Sequence, residues 1–390
     1  MLFAAHGFNT GAFTTLLPGL SRGVHIGPGT LGVMITAACV ASLPAQIVGG
    51  AVSDRIGRRL LIVIGFGGTA PGILCLSVFG TFGSAVVAFL CMGFFGSFMD
   101  LAANSVGADL ERRLDKPLMV KLHSYFSGGA MVGALCVAAL LGLLNARYQV
   151  MYAVDGLLLL AVALLARNVS RDSADDHAGT PRAHLADDTP RRMALVLMPA
   201  LLILGFYSFG GSAAENFSSS LIDAGFGGNV SAAALGMSVF YGSGVLGRLV
   251  GFAAGERLSE RWVLVAASCG MAGSVAVLLF TPSGLAAIAA LGLYGVFESP
   301  VAPLGYSAAG RLLPGRSGLA LAWVGAVSFV AYSLGPLSVG SLAVRTSLSF
   351  SFVLVGGAAL GLFAVGLSRR NGLSASTSST AAAHHDGELR

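Results

Sequence analysis

Apolar residues along the chain are gathered into long stretches, and most polar residues fall between them. The hydrocarbon core of a bilayer is ~30 Å thick, and an α-helix needs about 20 apolar residues to cross it. Twelve stretches qualify, at 2–20, 29–52, 60–80, 84–108, 118–144, 149–167, 193–222, 230–254, 262–281, 284–310, 317–343 and 347–368. The pattern predicts an all-α membrane protein with twelve transmembrane helices.

The composition supports this interpretation. The 390 residues are 55% hydrophobic and only 11% charged, against roughly 25% charged in a soluble domain. No G-x-x-x-x-G-K-[ST] phosphate loop occurs, and none of the cysteines has metal-ligand spacing. We therefore expect a protein that is not an enzyme, binds no cofactor, metal or nucleic acid, and is not driven directly by ATP. The first stretch lacks the basic flank of a signal peptide, so we interpret it as a helix.

The basic residues predict the orientation. Of the 23 Lys and Arg residues, only Arg22, Arg147 and Arg345 fall on one side of a twelve-helix arrangement, Arg248 lies within the eighth helix, and the others fall on the opposite side. By the positive-inside rule, that side is cytoplasmic. The pattern predicts a multi-pass protein of the plasma membrane with its linker and C-terminus in the cytoplasm. We expect the protein to be a monomer.

Two halves of the sequence resemble each other. "GFFGSF" at 93–98 aligns with "GLYGVF" at 292–297, and the same offset places Arg112 on Arg311. "SDRIGRR" at 53–59 aligns with "GERLSER" at 255–261. Internal repeats are typical of transporters that alternate access about a midplane site. We predict two pseudo-symmetric six-helix bundles, separated by a charged linker and followed by a disordered tail, with boundaries at 1–167, 168–192, 193–369 and 370–390.

Polar side chains inside the predicted helices mark a candidate site. An ionised side chain at the centre of a bilayer costs several kcal/mol, so it is rarely present without a role. Helical spacing places polar and ionisable residues together on one face of each of the first, fourth, seventh and tenth helices. The solute-cavity candidates are Asn9, Thr10, Ser97, Asn104, Ser208 and Ser219. Pro300 and Pro303 are expected to bend or loosen the tenth helix.

Three carboxylates and a histidine are candidates for proton coupling: Asp100, Glu215, Glu298 and His123. Desolvation raises the pKa of a carboxyl group in general, so such a group can take up and release a proton as access alternates. The alternatives are hydrogen bonding to solute, a structural ion pair with Arg248, and an ordinary buried histidine. Asp155 and Asp223 lie near helix ends and are expected to be solvated.

A motif between the second and third predicted helices carries a resemblance. "GGAVSDRIGRR" contains G-x-x-x-D-R-x-G-R-R from Gly50 through Arg59. Here the chain resembles the major facilitator superfamily, and the six-plus-six layout extends that resemblance over nearly the whole chain. It implies a gating loop in which Asp54 faces a helix N-terminus and latches one conformation. The predicted gating residues are Glu256 and Arg257, which align with Asp54 and Arg55 in the second half, together with Gly50, Asp54, Arg55, Gly57, Arg58 and Arg59.

More narrowly, the chain is similar to the fucose-permease-like branch of that superfamily, which contains fucose:proton symporters. The matching segments are "MDLAANSVGADLERRLDKPLMVKLHSYFSGGA" (99–130), "GGSAAENFSSSLI" (210–222), "GSGVLGRLVG" (242–251) and "LGPLSVGSLA" (334–343). The resemblance implies that Asp100 is a protonation site and Asn104 a solute ligand. The chain departs from the branch in its first helix, where "HGFNTGAFTTLLPGL" has no aspartate.

These observations predict a secondary active transporter that moves a small organic solute by alternating access with proton coupling. A sugar-like molecule is one candidate for the solute. The expected partners are the solute, protons and the lipid bilayer. One alternative is a proton-coupled exporter of a drug or metabolite. Another is a non-transporting membrane sensor or a solute-gated channel, which gating residues in both halves argue against.

Overall fold

The computed structural model describes residues 1–114, 118–167, 190–255, 257–280, 283–313 and 317–368. Within its helices, only the backbone is described for 46–58, 108–109, 111–113, 120, 190–192, 252–253, 255, 317–319 and 322. The described residues are helical apart from short turns and contain no β-strand. The predicted tail (370–390) and residues 168–189 of the predicted linker lie outside this part of the chain, so the domain boundaries stay a prediction.

The helices follow one another with short connections. Their bounds are α1 Leu2–Gly23, α2 Pro28–Val78, α3 Phe82–Leu114, α4 Met119–Gly142, α5 Tyr148–Arg167, α6 Pro190–Gly225, α7 Val230–Gly255, α8 Glu260–Phe280, α9 Gly284–Glu298, α10 Val301–Leu312, α11 Ser317–Arg345, α12 Leu348–Ser351 and α13 Val353–Leu367. Eleven segments of the described chain are long and apolar enough to cross a membrane. α1, with its polar Asn9 and Thr10, packs against α4 and completes the predicted twelve.

The predicted loop between the second and third helices is helical instead, because α2 continues from Pro28 to Val78. A straight helix would separate Ala38 from Gly72 by ~50 Å at 1.5 Å per residue. Yet Gly93 of α3 lies against Ala38, and Cys91 of α3 lies against Gly72. The chain of α2 therefore reverses, and its two arms, 28–45 and 59–78, both pack on α3. The prediction of two spans is confirmed, and the chain reverses between them within residues 46–58.

Two predicted helices are broken. The tenth is divided into α9 and α10 by a turn at Ser299 and Pro300, as expected from a proline that removes a backbone donor. The last is divided into α12 and α13 at Phe352. This segment contains no proline, so the break could not be predicted from the sequence.

The helices form two groups by contact. In the N-terminal group (α1–α5), α2 packs on α3 and α5, and α1 packs on α4; in the C-terminal group (α6–α13), α6 packs on α11 and α13, and α9 packs on α7 and α8. The groups meet through α2 with α11, α4 with α7, and α1 with α6 and α7. We call the side where α1 ends and α2 begins the Arg22 face, and the side where α10 ends and α8 begins the Arg311 face.

Candidate solute site

A cavity of about 520 Å³ lies between the two groups of helices. α1, the first arm of α2 and α3 line it on one side, and α6 and α11 line it on the other. Its polar side chains include carboxylates, amides and hydroxyls, and Phe13, Phe89, Phe329 and Tyr332 add aromatic surface. A concave site with mixed aromatic and polar walls is typical of small-molecule binding.

The polar face of α3 forms one wall. Gly93, Ser97, Asp100 and Asn104 of the predicted stripe line the cavity. Asp100 is exposed, and the Asn104 side-chain amide donates to its Oδ1 and to its backbone oxygen, both at 2.9 Å. Ser97 donates to the carbonyl of Gly93 at 2.8 Å. Asp100 therefore faces an open space and is hydrogen-bonded only within its own helix among the described residues.

α1 forms the adjacent wall with Asn9, Thr10 and His6. Thr10 donates to the carbonyl of His6 at 3.1 Å. The Asn9 amide donates to Asp155 Oδ2 on α5 at 2.7 Å. Asp155 is 1% exposed, so the expectation that it is solvated is wrong. Sequence reasoning also missed His6 as a cavity residue, although its spacing from Asn9 and Thr10 on one helical face was a usable signal.

Glu215 of α6 lies where two cavities meet. Its Oε1 accepts from the Tyr241 hydroxyl at 3.3 Å, and its Oε2 accepts from the Tyr332 hydroxyl at 3.1 Å. The Tyr241 hydroxyl also lies 2.8 Å from the Thr14 hydroxyl of α1. Glu215 and Tyr332 line both the large cavity and a smaller one of about 170 Å³, which is lined mainly by the C-terminal group and by α4 of the N-terminal group. Neither tyrosine was singled out from the sequence, because an aromatic residue in an apolar helix gives no distinguishing pattern.

The smaller cavity contains Glu298, Arg248 and Ser208. Arg248 donates to the Ser127 hydroxyl of α4 at 2.7 Å, across the contact between the two groups. Within the described part of the chain, Arg248 forms no ion pair within 4 Å, and Glu298 makes no hydrogen bond. The predicted ion pair between Arg248 and a cavity acid is therefore absent there, although both charges face one small space.

Two predicted site residues lie elsewhere. Ser219 is fully buried and donates to the carbonyl of Thr14 at 2.7 Å, so it ties α6 to α1 and does not line either cavity. His123 is exposed and packs edge-on against Phe3 with ring centroids 5.3 Å apart, outside the lining of both cavities. The helical-face argument failed for Ser219 because α1 covers that end of α6.

The predicted gating residues are only partly described. Gly50, Asp54, Arg55, Gly57, Arg58 and Glu256 lie outside the residues whose side chains are described, so the latch stays a prediction. Arg59 is partly buried at the start of the second arm of α2, and Arg257 is exposed. In the second half, Arg311 pairs with Glu260 of the "GERLSER" segment, a contact that the repeat alone did not reveal.

The Arg22 face is closed. Arg22 of α1 pairs with Asp223 of α6, which is 5% exposed, and also donates to the Gly228 carbonyl at 3.4 Å; the expectation of a solvated Asp223 is wrong as well. Beside this pair, α2 crosses α11 at Gly32 and Gly340, where an added Cβ would lie 2.5 Å from the carbonyl oxygens of Pro336 and Pro28. The arrangement is a site between two helix groups, shut at one face.

Comparisons with known proteins agree with this architecture. The family model of the Major Facilitator Superfamily matches residues 1–222. An uncharacterised transporter of the major facilitator type from Yersinia pestis is 27% identical over 366 residues, which cover 90% of this chain and 90% of that one.

Solved structures share the fold. The nucleoside transporter NupG superposes with a TM-score of 0.73 at 12% identity, covering 94% of this chain and 99% of the other. The Escherichia coli fucose:proton symporter FucP gives 0.61 at 15% identity, with 94% and 96% covered. Because the family match spans more than half of the sequence, the chain belongs to the major facilitator superfamily of membrane transporters.

Proposed function

We propose that the protein is a proton-coupled secondary transporter of a small polar solute, which binds in the large cavity and crosses by alternating access. Two groups of helices with a site between them, closed at one face, are the arrangement that such a mechanism requires. If the Arg22 face is the external one, as the distribution of basic residues favours, the conformation described is open towards the cytoplasm.

The observation that carries the proton coupling is the set of carboxylates in the cavities. Asp100, Glu215 and Glu298 line the two cavities, and none forms an ion pair with a cation within 4 Å among the described residues. An unpaired carboxylate is costly away from water. Binding a proton removes that cost when the cavity closes over it, and release restores the charge when water returns.

The solute class follows from the lining of the large cavity. Amide and hydroxyl groups of Asn9, Thr10, Ser97 and Asn104 offer several hydrogen bonds to a neutral polyhydroxylated molecule, while the aromatic side chains offer flat apolar surface. The names of the structural neighbours, a nucleoside transporter and a fucose:proton symporter, favour the same class. We propose a monosaccharide or a nucleoside as the solute.

The test uses purified protein in proteoliposomes loaded with a pH-sensitive dye. L-fucose and uridine are added outside, and proton movement is followed together with exchange of the labelled solute. We expect Asp100→Asn to lose solute-driven proton flux while retaining solute exchange, because the amide keeps the cavity polar and cannot be deprotonated. Glu260→Gln is the control, since it removes a carboxylate at the Arg311 face outside both cavities.

If Asp100→Asn moves protons with solute as the wild type does, Asp100 is not the carrier. Glu215→Gln and Glu298→Gln then decide whether either remaining carboxylate carries the proton. A wild-type protein that exchanges solute without any proton movement would refute the coupling altogether.

A second candidate, an exporter of organic cations, is favoured by one observation: the cavities hold three carboxylates against a single arginine, Arg248. Such an acidic site with aromatic walls attracts an apolar cation. Competition separates the two proposals. Tetraphenylphosphonium should displace bound solute from a cation exporter and should leave a monosaccharide or nucleoside site occupied.

A further inference from the structure

Asp155 is the most deeply buried carboxylate in the described chain. It lies on α5, about 10 Å along the helix from its first residue, and is 1% exposed. Its Oδ2 accepts the hydrogen bond from Asn9, and its Oδ1 is buried with no hydrogen-bond partner among the described residues. None of the roles assigned above to the cavity residues uses this carboxylate.

Among the described residues, no cation compensates the charge of Asp155. α5 packs here against α1 and the second arm of α2, where Ala70 and Leu74 lie against Gly156. The described titratable groups on α5 and on the helices packed against it are Tyr148, Tyr152 and Arg167 on α5, His6 on α1, Cys39, Arg59 and Cys75 on α2, and Lys121, His123, Tyr125 and Cys136 on α4. Arg22, also on α1, is held by Asp223. Within the described chain, no basic side chain comes within 4 Å of Asp155.

A carboxyl group in this setting has two states with opposite hydrogen-bonding properties. The ionised form only accepts hydrogen bonds, and its unpartnered oxygen is then a buried charge without compensation. The protonated form is neutral and gains one O–H donor. One proton taken up from water adds to a carboxylate oxygen in the first state, and the reverse step returns that proton to water.

Asn9 connects this group to the solute cavity. It is the single hydrogen-bond partner of Asp155 among the described residues, and it also lines the large cavity beside Thr10. An amide can exchange the positions of its oxygen and its NH₂ group by turning half a revolution with little change of shape. Asn9 donates N–H to the ionised Asp155; turned round, it accepts O–H from the protonated Asp155 and presents N–H groups to the cavity.

We propose that Asp155 is a proton-binding site behind the cavity wall, and that Asn9 transmits its protonation state to the bound solute. Asp155 acts through Asn9, so it is a positioning residue that does not touch the solute. This inference rests on the proposed proton-coupled transport, and it supplies a carboxylate next to α1, the helix whose sequence contains none. Uptake of a proton changes the hydrogen-bonding character of the wall that faces the solute.

The first experiment needs only protons as the ligand. Infrared spectra of the reconstituted protein are recorded over a pH series, and the carbonyl stretch of protonated carboxylic acids is followed. We expect Asp155→Asn to lose one titrating band that Asp100→Asn retains. Asp155→Asn with the wild-type spectrum at every pH would overturn the proposal, because Asp155 would then bind no exchangeable proton.

The second experiment tests the connection through Asn9. Asn9→Ala keeps the carboxylate and removes the amide, so it also serves if Asp155→Asn fails to fold. We expect the titrating band to persist. The change in L-fucose affinity between low and high pH should become at least about fivefold smaller, because fivefold is the lower end of a typical coupling between two sites. Thr10→Ala, the neighbouring cavity residue, should lower affinity equally at all pH values.

Unchanged pH dependence of affinity in Asn9→Ala would overturn the connection. The outcome is separable from that of the proposed function, because equilibrium binding and infrared titration require no transport. A wild-type protein that moves no protons with solute would refute coupled transport, whereas a titrating spectrum that is the same in the wild type and in Asp155→Asn would refute this inference alone.

Discussion

The two ends of the contact between the helix groups are built differently. At the Arg22 face, backbone lies on backbone: α2 meets α11 at Gly32 and Gly340, and the Arg22–Asp223 ion pair closes the neighbouring gap. Further from this face, Asp100 is exposed in a cavity whose walls carry polar side chains. One end is a close-packed contact, and the other is a solvated surface.

The difference shows where the stability of this conformation comes from. A contact between backbones has no flexible side chains that can adjust, so it is lost as a unit when the helices separate. Solvated polar side chains lose little when the distance between them changes. The closed state therefore depends on packing at the Arg22 face, and substitutions there should shift the conformational equilibrium more than substitutions in the cavity.

The largest expected effect is that of Gly340→Ala. A Cβ at this position would lie 2.5 Å from the carbonyl oxygen of Pro28, closer than van der Waals contact allows. Overpacking costs about 1–3 kcal/mol, which corresponds to a roughly 5- to 150-fold loss of the state closed at the Arg22 face. Maleimide labelling of a cysteine introduced at Ser231, in a background without native cysteines, should become faster by a comparable factor, and transport should fall with it.

Gly325→Ala is the matched control. It lies on the same helix, and an added Cβ there would meet no atom within 4 Å. We expect wild-type labelling and transport for this variant. Equal effects of the two substitutions would mean that helix propensity in α11 matters and the crossing with α2 does not.

A smaller effect is expected from Arg22→Gln. The change leaves the carboxylate of Asp223, which is 5% exposed, without its cation. Because the Arg22 side chain is 49% exposed, solvent weakens the pair, and we expect a loss of about 1 kcal/mol for the closed state. Labelling at Ser231 should accelerate about fivefold, and high salt should reduce the difference between variant and wild type.

Arg147→Gln provides the comparison, because Arg147 lies on the same face and pairs with no acid among the described residues. Its labelling rate should equal that of the wild type. If both arginine variants open the Arg22 face equally, general charge at that face matters and the specific pair with Asp223 does not.

Much of the fold could be predicted because its signals are local. Apolar length predicts spans, and Pro300 predicts the break between α9 and α10. The helix-face argument placed Ser97, Asp100 and Asn104 together in the cavity, since neighbours on one helix are fixed by its geometry. The helical backbone that continues between the two arms of α2 was not predicted, because residues with strong turn chemistry can also continue a helix.

The site could be predicted only in part, because its remaining contacts join distant segments. Asn9 and Asp155 are 146 residues apart, and Arg22 and Asp223 are 201 apart. Position near a helix end suggested solvation for both aspartates, but a neighbouring helix covers each of them. No periodicity within a single helix carries that information, so burial of charge could not be derived from the pattern.

The smallest expected effects concern the two tyrosines that hold Glu215, and they sharpen the comparison inside the site. Tyr332 bonds only to Glu215 among the described residues, whereas Tyr241 also contacts Thr14 of α1 and so joins the two helix groups. Each hydroxyl contributes about 0.5–1.5 kcal/mol. Tyr332→Phe should raise KM for solute about threefold with little change in labelling at Ser231.

Tyr241→Phe should act differently, although it removes the same chemical group. Losing the contact with Thr14 weakens the connection between α1 and α7, so labelling at Ser231 should accelerate about threefold, in proportion to one lost hydrogen bond. The KM should change less than it does in Tyr332→Phe, because Tyr241 lines only the smaller cavity. If Tyr332→Phe and Tyr241→Phe instead show the same ratio between the change in KM and the change in labelling rate, both tyrosines act through a single hydrogen-bond network around Glu215. In that case closure of the Arg22 face is not separable from solute binding.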